Sequence, residues 1–175
     1  MSMTLIEHIE VGGGGAASIL FDNIPQTYTD LYFVASIRTN RGQAIEGMIL
    51  KPNSSATLPT VRYLLGTGSS VISDTVTSLG AGAANGASST GATYANTGVY
   101  IPNYTSSVAK SLSVDSVLEN NATLGYQNLV AGLWNVTDAI TSLLIVGETG
   151  GTIQASSSAT LYGITAGSDG TTTVS

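Results

Sequence analysis

Hydrophobic and polar positions along this chain alternate over short distances and rarely recur at helical spacing, a pattern that predicts strands of half-buried sheets. The clearest case is Leu31, Phe33, Ala35 and Ile37, which alternate with Tyr32, Val34, Ser36 and Arg38 and so place four apolar side chains on one face. A turn, "NIPQTYT", leads into this strand. Pro25 fixes φ and removes a donor, which makes a committed corner, and Tyr28 is placed to tie that corner to the sheet through its hydroxyl. The polar turn from Thr39 to Ala44 ends the strand.

The same reading extends to the rest of the chain. Leu5 to Val11 and Ala17 to Phe21 read as two strands joined by Gly12 to Gly15, whose freedom at positive φ suits a tight reversal or a bulge. A phosphate-binding loop is excluded, because no Gly-Lys-Ser/Thr ending follows and "AASILF" continues as a strand. Glu46 to Lys51 and Val61 to Leu65 are further strands, with Pro52 and Pro59 closing off pairing in the loop between them. From Gly66 to Asn96 the composition shifts to Gly, Ala, Ser and Thr, which predicts a surface excursion contributing little to the core, pinned in part by Val71, Ile72, Val76 and Leu79.

The second half reads as five strands: Gly98 to Ile101, Ser107 to Leu118, Thr123 to Leu133, Ala139 to Val146 and Thr152 to Thr165. In the second of these Val108, Leu112, Val114 and Leu118 share one parity, interrupted by Lys110 and Ser116. The whole predicts an all-β fold, a two-sheet antiparallel β-sandwich of jelly-roll or Greek-key type, in a single domain over 1–175. The tail 166–175 is expected to be extended or docked on a neighbour.

Composition narrows what such a fold can do. Charged residues make up 9% of the chain, against roughly 25% in an ordinary domain, so its polar surface is built from hydroxyls and amides. Such a surface suits a subunit packed into an assembly. The net charge of -6 argues against nucleic acid, which needs clustered Lys and Arg. There is no Cys, hence no disulfide framework and no thiolate zinc site. Glu7, His8 and Glu10 stand where a signal peptide would be apolar, and no run reaches the roughly 20 apolar residues of a membrane helix, so synthesis in the cytoplasm without membrane insertion is expected.

Candidate chemistry is sparse. His8 and Glu10 would align on one strand face while Glu7 points away, leaving too few ligands for a metal. The segment Asp115 to Asn121 lacks the spacing of a calcium loop. Most acidic residues fall beside turns, and a single histidine with no nucleophile elbow offers no hydrolase triad. Neither an enzyme nor a cofactor is expected. Asn53, Asn103, Asn121 and Asn135 lie in glycosylation-like triplets that a chain rich in Asn, Ser and Thr forms by chance. Tyr94, Tyr100 and Tyr104 cluster around "TGVYIPNYT" and fit either an interface or glycan contact or a half-buried sheet edge. Trp134 fits a core or core-rim anchor.

The ordered segments "IPQTYTDL" with the strand and arginine that follow, "YIPNYTSSVAKSLSVDSVLENN", "AGLWNVTDAITSLLI" and "SATLYGI" resemble a family of small virion-associated proteins of tailed bacteriophages, over about Gly12 to Ile164. The chain departs from that family's pattern between Ile49 and Leu58, where "ILKPNSSATL" stands in place of Phe-Asn-Gly-Asp before a Tyr-rich strand. The resemblance implies a virion-surface structural protein without enzymatic activity, a capsid decoration or head-fibre subunit. By analogy it would associate with itself, as a homotrimer, and with other virion proteins such as the major capsid protein. The alternative it leaves open is a module of a tail fibre or spike that binds host surface glycans or another receptor. The family motifs then mark architecture, and function is to be sought in the variable loops.

Overall fold

A computed structural model of the chain describes residues 2–54, 60–76, 80–121 and 124–166. These residues form strands without any helix. In chain order they are β1 (Ser2–Glu10), β2 (Ser18–Phe21), β3 (Asp30–Ile37), β4 (Ile45–Pro52), β5 (Thr60–Gly66), β6 (Val71–Val76), β7 (Ala83–Asn85), β8 (Ala95–Ile101), β9 (Lys110–Glu119), β10 (Gly125–Trp134), β11 (Leu143–Gly147) and β12 (Ser158–Thr165). Eight of them make one sheet in the order β1-β12-β3-β8-β9-β10-β5-β6, and four make a second in the order β2-β11-β4-β7, with antiparallel pairing throughout. The fold is an all-β sandwich.

The core lies between the sheets. Alternation in β3 sends Leu31, Phe33, Ala35 and Ile37 inward, where they meet Ile19 and Phe21 of β2, Met48 and Leu50 of β4, and Leu143 and Ile145 of β11 in one buried cluster. Phe21 and Phe33 pack edge to face with ring centroids 6.0 Å apart. Each fully buried side chain of this size stabilises the fold by about 1.5–3 kcal/mol. Trp134 is buried at the end of β10, as its position at a strand end predicts.

Four expectations are corrected. First, β1 and β2 are not partners: β1 pairs with β12 and β2 with β11, so Gly12 to Gly15 carries the chain from the large sheet to the small one. At Gly15, with φ +71°, a Cβ would lie 2.8 Å from the Ile153 carbonyl oxygen, and only glycine fits that crossing. Second, the 66–96 segment is not wholly a surface excursion. β6 is exposed, with Val71 and Ile72 facing solvent, but Ala81, Ala83 and Ala84 are buried and β7 pairs with β4. The small residues are there because the gap is thin: a Cβ at Gly82 would lie 2.5 Å from the Ser116 side chain. Leu79 and most of the 166–175 tail fall outside the described residues.

Third, Lys110 and Ser116 do not interrupt the inner face of β9 but belong to it, both buried, while Val108 lies before the strand and is exposed. The Lys110 Nζ donates to the carbonyls of Thr137 and Asp138 and sits 5.2 Å from the centre of the Trp134 ring. Desolvation pulls its pKa below the ordinary lysine value, only partly offset by Asp138. Fourth, the last two strands are shorter than expected. β11 begins at Leu143 and β12 at Ser158, with Ile153 making isolated bridges to Ala16 and Thr39.

Candidate functional site

The corner before β3 is built as its sequence suggests, but by a different hydroxyl. Tyr104 has no exposed surface and donates its hydroxyl to the Pro25 carbonyl, while Gln26 Nε2 donates to the carbonyls of Ile24 and Ile140. Burial pushes the Tyr104 phenol above its ordinary pKa. Tyr28 contributes its ring, which covers Gly163 so closely that a Cβ there would lie 2.2 Å from it. Pro25 and Tyr28 are therefore architectural.

The three tyrosines of the "TGVYIPNYT" region do not form one patch. Tyr104 is in the core and cannot stack on a ligand. Tyr94 is half-buried and donates its hydroxyl to the Ala155 carbonyl at 2.9 Å. Tyr100 is exposed on the outer face of β8 and donates to Asp30 Oδ2 at 2.8 Å, a bond that raises its pKa. Asp30 Oδ1 accepts from the Asn103 amide at 2.8 Å, so both of its oxygens are engaged.

Tyr100 is instead grouped by sheet pairing with two tyrosines distant in sequence. On the outer face of the large sheet Tyr162 of β12, Tyr32 of β3 and Tyr100 of β8 stand directly opposite one another. Tyr100 leans along its strand toward Asp30, two residues before Tyr32 on β3. Tyr32 leans the other way, across Gly98: a Cβ at Gly98 would lie 2.8 Å from its hydroxyl and 3.4 Å from Cζ. The two rings thus pass each other, each reaching over the neighbouring strand.

Beside the Tyr32 ring, Val34, Asn96, Gly98, Asp115 and Val117 complete a hollow of about 130 Å³. Gly98 stands opposite Asp115 and Asn96 opposite Val117 in the β8–β9 pairing. Asp115 and Asn96 are exposed, and their side chains make no hydrogen bond to the described residues. Farther along the same face Leu129 of β10 stands opposite Leu64 of β5, each about half exposed. Together with Arg62, Ser113 and Ala131 they line a shallow, largely apolar hollow of about 370 Å³.

Two buried or half-buried charges hold loops rather than ligands. The Arg38 guanidinium donates to the carbonyls of Ser89, Thr90 and Thr93 at 2.9–3.0 Å and to the Thr93 hydroxyl at 3.2 Å, so it shapes the turn 86–93. Glu46, fully buried, accepts at Oε1 from the Thr149 amide at 3.1 Å, the Thr149 hydroxyl at 2.8 Å and the Gly151 amide at 3.2 Å. Burial alone would raise its pKa, but the Thr39 hydroxyl beside it and the Thr149 and Gly151 donors outweigh that and hold it below the ordinary value. Neither the Thr39 hydroxyl nor Glu46 Oε2 makes a hydrogen bond of good geometry. Proximity is enough to favour the charged form.

At β1, His8 and Glu10 do share a face: His8 Nε2 lies 3.5 Å from Glu10, and Nδ1 is hydrogen-bonded to the Thr160 hydroxyl at 2.7 Å. The described residues contain no group of three or more acidic or histidine side chains that could hold a metal.

The outer face was only half legible. The alternate parity of Tyr32, Val34 and Ser36 marks an outer surface, but its pairing partners lie some 60 to 130 residues away along the chain. No family model, curated protein or solved structure matches the chain.

Proposed function

We propose that the chain is a non-enzymatic structural protein of a bacteriophage virion, a decoration subunit on the capsid surface that associates with itself and with the major capsid protein. The motif resemblance supports this reading, and the observation that carries it is the outer face of the large sheet. There Leu64, Leu129 and Val117 are exposed on neighbouring strands, with Arg62, Asp115 and Glu119 as the charges beside them among the described residues. An apolar patch on so uncharged a chain fits a face that is covered in an assembly. The homotrimer is part of the proposal.

The test is copy number on purified particles, by quantitative mass spectrometry against the major capsid protein. Hundreds of copies per particle are expected, and a handful at one vertex or at the tail would overturn decoration. Light scattering of the purified chain is expected to give a trimer. A stable monomer at micromolar concentration would remove self-association from the reading. The second reading, a receptor-binding module of a fibre or spike, is favoured by a different observation, the open polar and aromatic hollow beside Tyr32.

A further inference from the structure

We infer that the hollow between Tyr32, Asn96 and Asp115 binds one neutral sugar residue of a glycan. The inference develops the receptor-binding reading but does not need a virion, because it concerns the isolated chain.

A sugar ring has two chemically different surfaces, an apolar face of C–H groups and an edge of hydroxyls, and a site for it must answer both. The apolar answer is Tyr32. Its phenol end lies across Gly98, with backbone alone beneath it, and its other side is the sheet's outer side. A tyrosine laid down in this way offers a flat apolar surface with a polar tip. Gly98 is the condition for it, since a Cβ would meet the hydroxyl at 2.8 Å.

The polar answer comes from the next strand position. The Asp115 carboxylate has two acceptor oxygens and the Asn96 amide has both donors and an acceptor, a set that matches adjacent sugar hydroxyls, each donor and acceptor at once. Neither side chain is committed to the described residues, in contrast to Asp30, both of whose oxygens are occupied a few residues away. Val34 and Val117 make the remaining walls apolar. At about 130 Å³ the hollow holds one ring, not a chain of them.

Charge decides which sugars. Asp115 lines the hollow without a cation among its lining residues, and the chain carries a net charge of -6, so uronic acids, sialic acids and phosphorylated sugars are repelled. A nucleotide is disfavoured on the same ground.

The experiment is an amide NMR titration of the full chain with the methyl glycosides of glucose, galactose and mannose, and with glucuronic and N-acetylneuraminic acids. At least one neutral glycoside should shift the Asn96, Gly98 and Asp115 amides, with a dissociation constant on the order of millimolar, as suits a single small ring. Asp115→Ala, an exposed substitution, should weaken that binding by about tenfold or more without changing the melting temperature. Gly98→Ala should do the same by lifting the Tyr32 ring. The inference is overturned if no neutral glycoside shifts those amides at tens of millimolar, roughly ten times that constant. It is equally overturned if Asp115→Ala binds as the parent does, or if the anionic sugars bind as well as the neutral ones. None of these results bears on copy number, so the virion reading stands or falls separately.

Discussion

Replacing Glu46 separates the worth of a buried charge from that of the hydrogen bonds it accepts. The carboxylate on β4 holds the turn Gly147 to Gly151, where the chain leaves the small sheet, through three bonds to one oxygen. Glu46→Ala removes the acceptor and leaves the Thr149 and Gly151 amides without a partner. An unpaired donor costs up to about 1–3 kcal/mol, of which water recovers part at exposed Thr149 and half-buried Gly151, and the cavity left by the fully buried Glu46 side chain adds to it, so a loss of about 3–5 kcal/mol is expected. That is a large share of a total stability on the order of 5–15 kcal/mol, and it should lower the melting temperature by roughly 10 °C. Glu46→Gln keeps an oxygen for the same donors and places an amide N–H near the Thr39 hydroxyl, which has no hydrogen bond of its own. Only charge assistance is lost, about 1 kcal/mol.

The pH dependence follows the same logic. The folded pKa lies below the ordinary value of 4.5, so the folded state binds the proton less readily than the unfolded chain. The stabilisation is therefore complete above the unfolded pKa and is lost as pH falls through the folded one. Urea denaturation of the parent and both variants at pH 7, 5 and 3 measures all of this. The gap between parent and Glu46→Gln should close in acid, while the alanine variant stays the least stable at pH 7. If the glutamine variant lost as much as the alanine variant at pH 7, or the gap were independent of pH, the assignment of a charged latch would be wrong.

Other outcomes follow from single contacts. Arg38→Ala should cost about 1–3 kcal/mol and speed hydrogen exchange at residues 86–93, and lysine should not rescue it, since one ammonium cannot span carbonyls placed for a guanidinium fork. Unchanged exchange in that turn would refute the clamp. Tyr104→Phe should cost about 1–3 kcal/mol by leaving the Pro25 carbonyl unpaired, and Tyr104→Ala about 3–5 kcal/mol by opening a core cavity. Loss of ligand binding at full stability in either would instead put Tyr104 in a site. Leu129→Lys, on the exposed sheet face directly opposite Asp115, should change stability by no more than about 0.5 kcal/mol and abolish self-association in light scattering. An unchanged oligomer would move the contact face elsewhere.

Local pattern was enough for much of this architecture. The alternation of Leu31, Phe33, Ala35 and Ile37 named an inner face, Pro25 named a corner, and Trp134 at a strand end named an anchor, because parity, φ restriction and side-chain volume act within a few residues. Strand partners are another matter. β1 pairs with β12 across most of the chain and β3 with β8 across about a third of it, and nothing in "GGGG" says whether it turns back or crosses to the other sheet. Residue type misled wherever context reversed its ordinary meaning. Lys110 is buried because two carbonyls and an indole receive it, and Ala81 to Ala84 are small because the layer is thin, not because the segment is loose. Tyr104 is core although its neighbours in sequence are not. The hollow of Tyr32, Asn96 and Asp115 exists only because two antiparallel registers bring β3, β8 and β9 into line, and long-range pairing is the one quantity that a single sequence does not encode locally.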